Sequence, residues 1–303
     1  MSDLPSVLLV DASIYLFRAF FSLPARWQDA EGAPTHAVLG FTRALLDARN
    51  RLRPTHIAVA FDTSLTTCFR NQLFPAYKAQ RPQPDPDIIR QMALCQASCD
   101  ALGWYRCADA ELEADDLLAS LLRQWREVHP EAPAWLMTRD KDYGQLLLDG
   151  ATRVWDDGTH FGAREFSAKF GVPPEGFPDY QALVGDAVDN VPGVRGVGPK
   201  TAAQLIARYG NLETLYAHLE QVRAGATKVR RPEAVARDLA EQRAQAFAMR
   251  EILRLLRTRD VVDSLEALRP QPVDDAACRR FFEQLGLARS LKLPAPGAQG
   301  QGG

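Results

Sequence analysis

Ser6-Val-Leu-Leu-Val10, followed at once by Asp11, is the stretch that decides the fold class. An unbroken apolar run of strand length suits a strand buried on both faces of a parallel sheet. Two more runs repeat the pattern. His56-Ile-Ala-Val-Ala-Phe61 precedes Asp62, and Ala134-Trp-Leu-Met-Thr138 precedes Arg139 and Asp140. Helical periodicity predicts helices over 37–51, 86–102, 114–127 and 199–209. Strand–helix alternation of this kind makes a largely parallel, doubly wound α/β domain. Its ligand crevice opens beyond the carboxyl ends of the strands, where each of the three runs presents a carboxylate.

Past residue 180 the strand signal fades. Val191-Pro-Gly-Val-Arg-Gly-Val-Gly198 supplies tight glycine turns feeding the helix at 199–209, and Arg230-Arg-Pro232 precedes a long helix expected over 233–256. The expected division is an α/β core over 1–180, a helical region over 181–292 and a Pro/Gly/Gln tail over 293–303. That tail is expected to be mobile and is read as the natural end of a stand-alone protein.

The 303 residues, 46% of them hydrophobic, suffice for a sizeable core and exclude a disordered chain. Five cysteines with no C-x-x-C pair favour neither a disulfide framework nor a zinc knuckle. No run approaches the eighteen apolar residues of a membrane helix, so a soluble cytoplasmic protein is expected. The net charge of −2 hides a segregation: residues 195–257 hold 12 Lys/Arg against 6 Asp/Glu, whereas 109–116 hold five acids and no base. An acidic focus beside a basic surface suits a protein that holds cations and a polyanion together, although charge also fluctuates along any chain.

The acids are patterned. Glu113, Asp115 and Asp116 open a helix whose apolar face is Leu117, Leu118, Leu121, Leu122 and Trp125. Asp140 and Asp142 bracket Lys141, and Asp186 and Asp189 stand at i, i+3. With Asp11 and Asp62 they make nine carboxylates at strand ends and helix starts. Taken singly, Glu113 and Asp115 also serve as helix N-terminal acids, and Asp186 and Asp189 as turn residues. Converging, all nine need counter-ions to stay ionised. Hard divalent cations, Mg²⁺ or Mn²⁺, prefer such oxygen donors, and no histidine sits in these motifs to argue for zinc. A pair of such ions suits phosphodiester hydrolysis.

The motifs occur in a familiar order. Val10-Asp-Ala-Ser13, Phe61-Asp62, Phe69-Arg70, Tyr77-Lys-Ala-Gln-Arg81, Leu112-Glu-Ala-Asp-Asp116, Thr138-Arg-Asp-Lys-Asp142, Gly185-Asp-Ala-Val-Asp-Asn-Val-Pro-Gly193 and Gly196-Val-Gly-Pro-Lys-Thr201 follow one another. Together they resemble the bacterial 5′–3′ exonuclease and flap endonuclease family, which includes the 5′ nuclease domain of DNA polymerase I. The resemblance implies a PIN-like nuclease core with a helix–hairpin–helix-like DNA-binding region. It also implies a Mg²⁺-dependent activity on branched or flapped double-stranded DNA, carried by a monomer at the bacterial nucleoid.

By position in the motifs, Asp62, Glu113, Asp115 and Asp116 would serve one metal site, and Asp140, Asp142, Asp186 and Asp189 the other, with Asp11 between them. Lys78 and Arg81, at i, i+3, would share a helix face in an arch over about 63–90 and act on the scissile or adjacent phosphate. Tyr77 would stack on an unpaired base, and Arg18 and Arg70 would lie near phosphate. Gly193, Gly196, Val197, Gly198, Lys200 and Thr201 would form the duplex-binding hairpin, where the family often places K⁺. Departures include Ala12 after Asp11, Cys68, Leu112, and Tyr143-Gly144 in place of a usual apolar pair. A non-catalytic junction-binding protein and a metal-dependent phosphatase stand as alternatives.

Overall fold

The strand assigned to the opening run extends one residue further than expected, and that residue is an aspartate. In the computed structural model, which describes residues 4–63 and 67–293, β1 spans Val7–Asp11 and all five residues are buried. β2 (His56–Ala60), β3 (Tyr105–Cys107), β4 (Ala134–Met137), β5 (Thr152–Asp156) and β6 (Thr159–Phe161) join it in one sheet. The order is β3-β2-β1-β4-β5-β6, parallel except for the β5–β6 hairpin. The chain therefore reverses its direction of winding between β1 and β4, a switch point where a crevice must open at the carboxyl ends of the strands.

Both faces of the sheet are covered. Val7, Leu9, Ala58, Ala60, Ala134, Leu136 and Val154 pack with helix Ala114–Val128 on one side. Leu8, Val10, Ile57, Val59, Met137 and Trp155 pack on the other with helices Ala12–Ser22, His36–Leu52 and Pro86–Ala101. Alternate residues enter opposite layers, which is why these strands read as continuous apolar runs. The first layer continues without interruption into the helices after residue 177, so both chain segments that carry the carboxylates pack on one apolar core.

Three expectations need correction. The single helix expected over 233–256 is two, Pro232–Glu241 and Arg243–Leu253, broken at Gln242. The Gln242 side chain explains the break: it accepts from the Arg195 amide at 2.8 Å and donates to the Asp238 carbonyl at 3.0 Å, bracing the glycine turn. Strand pairing does not end at residue 180, because Gly185–Asp186 and Val191–Pro192 form a short antiparallel ladder. Helix Asp275–Gln284 packs its Cys278 and Phe282 into the second layer of the core, so a boundary at residue 180 separates it from its neighbours. Residues 294–303, most of the expected tail, lie outside the described residues.

Candidate active site

Strand ends deliver the first carboxylates. Asp11 closes β1, and its Oδ2 accepts from the Thr138 hydroxyl at 3.2 Å. Asp62, two residues beyond β2, accepts from the Ser13 hydroxyl and from the Ala114 amide, both at 2.7 Å. That amide belongs to the start of helix Ala114–Val128, whose dipole favours the negative charge of Asp62, Glu113, Asp115 and Asp116. Asp140 follows β4 exposed at the rim, and the short 3-10 turn Lys141–Leu146 carries Asp142 inward.

Asp186 and Asp189 arrive on the loop closed by the Gly185–Pro192 pairing. Its neck is tight: a β-carbon on Gly193 would lie 2.3 Å from the Val184 carbonyl carbon, so no other residue fits there. Carboxylate oxygens of Glu113, Asp115 and Asp116 come within 4.8 Å of one another, and so do those of Asp142, Asp186 and Asp189. The two expected acid sets are thus gathered into two triads, without Asp62 in the first or Asp140 in the second.

Electrostatics follow from this crowding. Burial, then the charges of Asp62 and Asp140, push the Asp11 carboxyl up to about 8 against a smaller opposing pull from Thr138 and Tyr143. Burial and Asp140 push Asp142 up to about 7. Asp115 rises well above the ordinary range through burial and its neighbours Asp116 and Glu113, and one of its oxygens is buried with no hydrogen-bond partner. Glu113 goes the other way, because Lys78 and Arg70 together outweigh its burial. An orphaned carboxylate oxygen, acids held up into the neutral range and an all-oxygen donor set fit hard divalent cations.

A pH dependence follows from the signs. Asp11 and Asp142 bind protons more tightly folded than unfolded, where a carboxyl titrates near 3.9. The metal-free protein should therefore lose stability as pH rises from about 4 to about 8. Added Mn²⁺ competes with those protons, so the rise in Tm that it produces should grow between pH 6 and 8. A Tm shift independent of pH would show that these two carboxyls do not take part.

Cations already lie against both triads. Lys78 Nζ is 2.5 Å from Glu113, Arg81 is 2.7 Å from Asp189, and Lys141 Nζ is 2.5 Å from Asp186. The segment carrying Lys78 and Arg81 is not the expected helix. It is a run of turns in which Lys78 takes a left-handed φ of 55°, docked by its amide on the Asp189 carbonyl at 2.9 Å. This docking sets positive charge beside both triads.

Three expected nucleic-acid contacts, Tyr77, Arg70 and Val197, need correction. Tyr77 is 4% exposed and donates to Glu113 at 2.8 Å, so its ring is not free to stack on a base. Arg70 is buried, and its guanidinium is taken up by Glu113 and Asp116. Arg18, its side chain 30% exposed, also pairs with Asp156 and Asp157 at the β5–β6 turn, and this surface pairing does not overturn its expected role. Val197 is a core residue. By contrast Gly198 has open space around it at the start of helix Pro199–Tyr209, Gly196 holds φ of 85°, Lys200 is exposed and Thr201 half-buried. The carbonyls of Gly193, Val194 and Arg195 each accept one hydrogen bond, from Gln245, Val197 and Gln242.

Sequence reasoning gave no role to the side chains that hold the acids. Thr138 supports Asp11, Ser13 supports Asp62, and Gln181 donates to Asp142 at 2.6 Å. Thr138 and Ser13 stood inside quoted motifs; Gln181, 39 residues from Asp142, carried no local signal.

The fold and the paired carboxylates place the protein among the α/β nucleases. Narrower matches agree. Residues 6–171 match the 5′–3′ exonuclease N-terminal resolvase-like domain, and residues 172–276 the 5′–3′ exonuclease C-terminal SAM fold. The chain belongs to the 5′–3′ exonuclease family. It is 35% identical over 287 residues to DNA polymerase I of Mycobacterium bovis, a match that covers 93% of this chain and 30% of that protein, so it spans under a third of that relative. It shares its fold with a bacteriophage T5 protein co-crystallized with metal ions (TM-score 0.70, 17% identity, 92% of this chain and 98% of the other). A second T5 structure, a flap endonuclease in a pseudo-enzyme-product complex with DNA and metal ions, gives a TM-score of 0.68 at 18% identity over 92% and 99% of the two chains.

Proposed function

We propose that the protein is a divalent-cation-dependent 5′ nuclease that hydrolyses DNA phosphodiesters at 5′ flaps and junctions. The observation that carries this is the gathering of two carboxylate triads at the switch point with Asp11 between their neighbours Asp62 and Asp140. Glu113 and Asp115, helped by Asp62, would hold one Mg²⁺, and Asp142, Asp186 and Asp189, helped by Asp140, the other; Mn²⁺ would substitute. When bound, such ions polarise a phosphodiester and activate water. Lys78 and Arg81 supply charge for a phosphate that crosses between the triads. Exposed amides and Lys200 at the glycine turn grip the duplex backbone without reading sequence, and this binding weakens with salt. A monomer acting on the nucleoid of a bacterial cytoplasm completes the proposal.

Cleavage of an end-labelled 5′-flap duplex with and without Mg²⁺ tests it. A flap bound but uncut with either Mg²⁺ or Mn²⁺ would identify a junction-binding protein instead, and turnover of small phosphomonoesters alone a phosphatase. Lys78→Ala should slow single-turnover cleavage about 100-fold while duplex affinity changes little. The reverse pattern would make Lys78 a binding residue.

A further inference from the structure

Asp157 and Gly158 alone join β5 to β6, and both hold positive φ, 45° and 88°. A two-residue hairpin turn of this kind favours Asn or Asp before Gly, so Asn would meet the backbone demand as well as Asp does. What Asp adds is a charge, and that charge faces two arginines. Its Oδ2 accepts from Arg18 Nη1 at 2.5 Å and from Arg139 Nη2 at 3.4 Å, while Oδ1 accepts from Arg18 Nη2 at 3.2 Å. Asp156 completes the group, 2.7 Å from Arg139 Nε and 3.8 Å from Arg18. One carboxylate shared by two guanidiniums occupies the place that a phosphate takes between arginines.

The setting suits such a ligand. Arg18 lies on helix Ala12–Ser22, which begins directly after Asp11, and its guanidinium rests 4.9 Å over the buried Tyr15 ring. Arg139 stands between Thr138, which supports Asp11, and Asp140. Both guanidiniums meet at the carboxyl end of β5, beside the strand ends that carry the acids. The side chains of Arg139 and Asp157 are 48% and 53% exposed, so an incoming anion can reach them, and exposed ion pairs of this sort hold weakly.

We infer that Arg18 and Arg139 form a subsite for a DNA backbone phosphate, and that Asp157 is a positioning residue that keeps the two guanidiniums together until a phosphate takes its place. The inference rests on the nuclease proposal. Because Asp157 competes for the same donors, removing its charge should tighten DNA binding, whereas loss of a DNA contact or of a structural tie would not.

The test is binding of a 5′-flap duplex to the full chain in Ca²⁺ across a salt series, for wild type, Asp157→Asn, Arg139→Ala and the double variant. Asp157→Asn should bind about fivefold tighter at low salt, with Tm held within about 3 °C. Its affinity should also fall more steeply with salt, by about 0.9 in log–log slope for one more phosphate neutralised. Arg139→Ala should weaken binding about fivefold. Without Arg139, the change at Asp157 should tighten binding by less than about twofold, since coupled residues are non-additive. Unchanged or weaker binding in Asp157→Asn, an unchanged salt slope, the full gain without Arg139, or a larger fall in Tm overturns the subsite. A wild type that does not bind the flap overturns the nuclease proposal itself, and with it this one.

Discussion

Asp115→Asn should remove almost all hydrolysis and at the same time make the metal-free protein more stable. The carboxylate sits in the first turn of helix Ala114–Val128, beside Glu113 and Asp116, with one oxygen buried and unpartnered. Its carboxyl is held well above the ordinary range by burial and then by Asp116 and Glu113, against Arg70 and Lys78. A folded-state shift in that direction means the charged form opposes folding at neutral pH. A neutral amide relieves that opposition, and the neighbouring carboxylates accept its protons. The expected gain is about 1 kcal/mol, or ~3 °C in Tm for a chain of this size.

The same amide is a poor ligand for a hard cation. Single-turnover flap cleavage should fall about 10³-fold, equivalent to roughly 4 kcal/mol of transition-state stabilisation. Flap affinity measured in Ca²⁺ should survive. Near-normal cleavage would take Asp115 out of the site, and a lower Tm would show that its carboxylate has a partner in solution.

Legibility divided along physical lines. β1, β2 and β4 were readable because both faces are buried and the runs are apolar throughout. β3 and β6 were not, because each is three residues long and at a sheet edge, with side chains that meet solvent. The acids could be ordered by motif because helix and loop geometry is local, and the triads emerged from that order. Charge pairing was the part that sequence hid. Tyr77, Arg70 and Arg18 have the residue types of DNA contacts, yet each finds an acid from a distant element, Arg18 reaching across 139 residues to Asp157. For Tyr77 and Arg70 burial makes the difference between a nucleic-acid contact and an internal partner of an acid, and no periodicity in the sequence reveals it.

Arg70→Met should be the most destabilising single change near the site. The guanidinium is 1% exposed and all five of its N–H donors are used. Nε donates to the Ile252 carbonyl at 2.7 Å. Nη1 reaches Asp116 at 2.5 Å and Glu113 at 3.2 Å, and Nη2 reaches Asp116 at 2.8 Å and the Arg254 carbonyl at 3.0 Å. Asp116 is fully buried and takes its remaining bonds from the Leu256 and Glu113 amides. Arg70 thus joins the acidic helix start to the chain leaving helix Arg243–Leu253, and Asp116 acts as its counter-ion more than as a free ligand. Methionine fills the volume but strands a buried carboxylate and two carbonyls, a loss of about 3–5 kcal/mol. At ~3 °C per kcal/mol that is a fall of roughly 10 °C in Tm. Arg70→Lys should fall between, since three donors cannot replace a five-donor fork. Adding Asp116→Asn to Arg70→Met should recover part of the loss, because the stranded charge is then gone. A double variant as unstable as the sum of its parts would mean that the two side chains are not coupled, and the brace between the helix start and Ile252, Arg254 and Leu256 would have to be sought elsewhere.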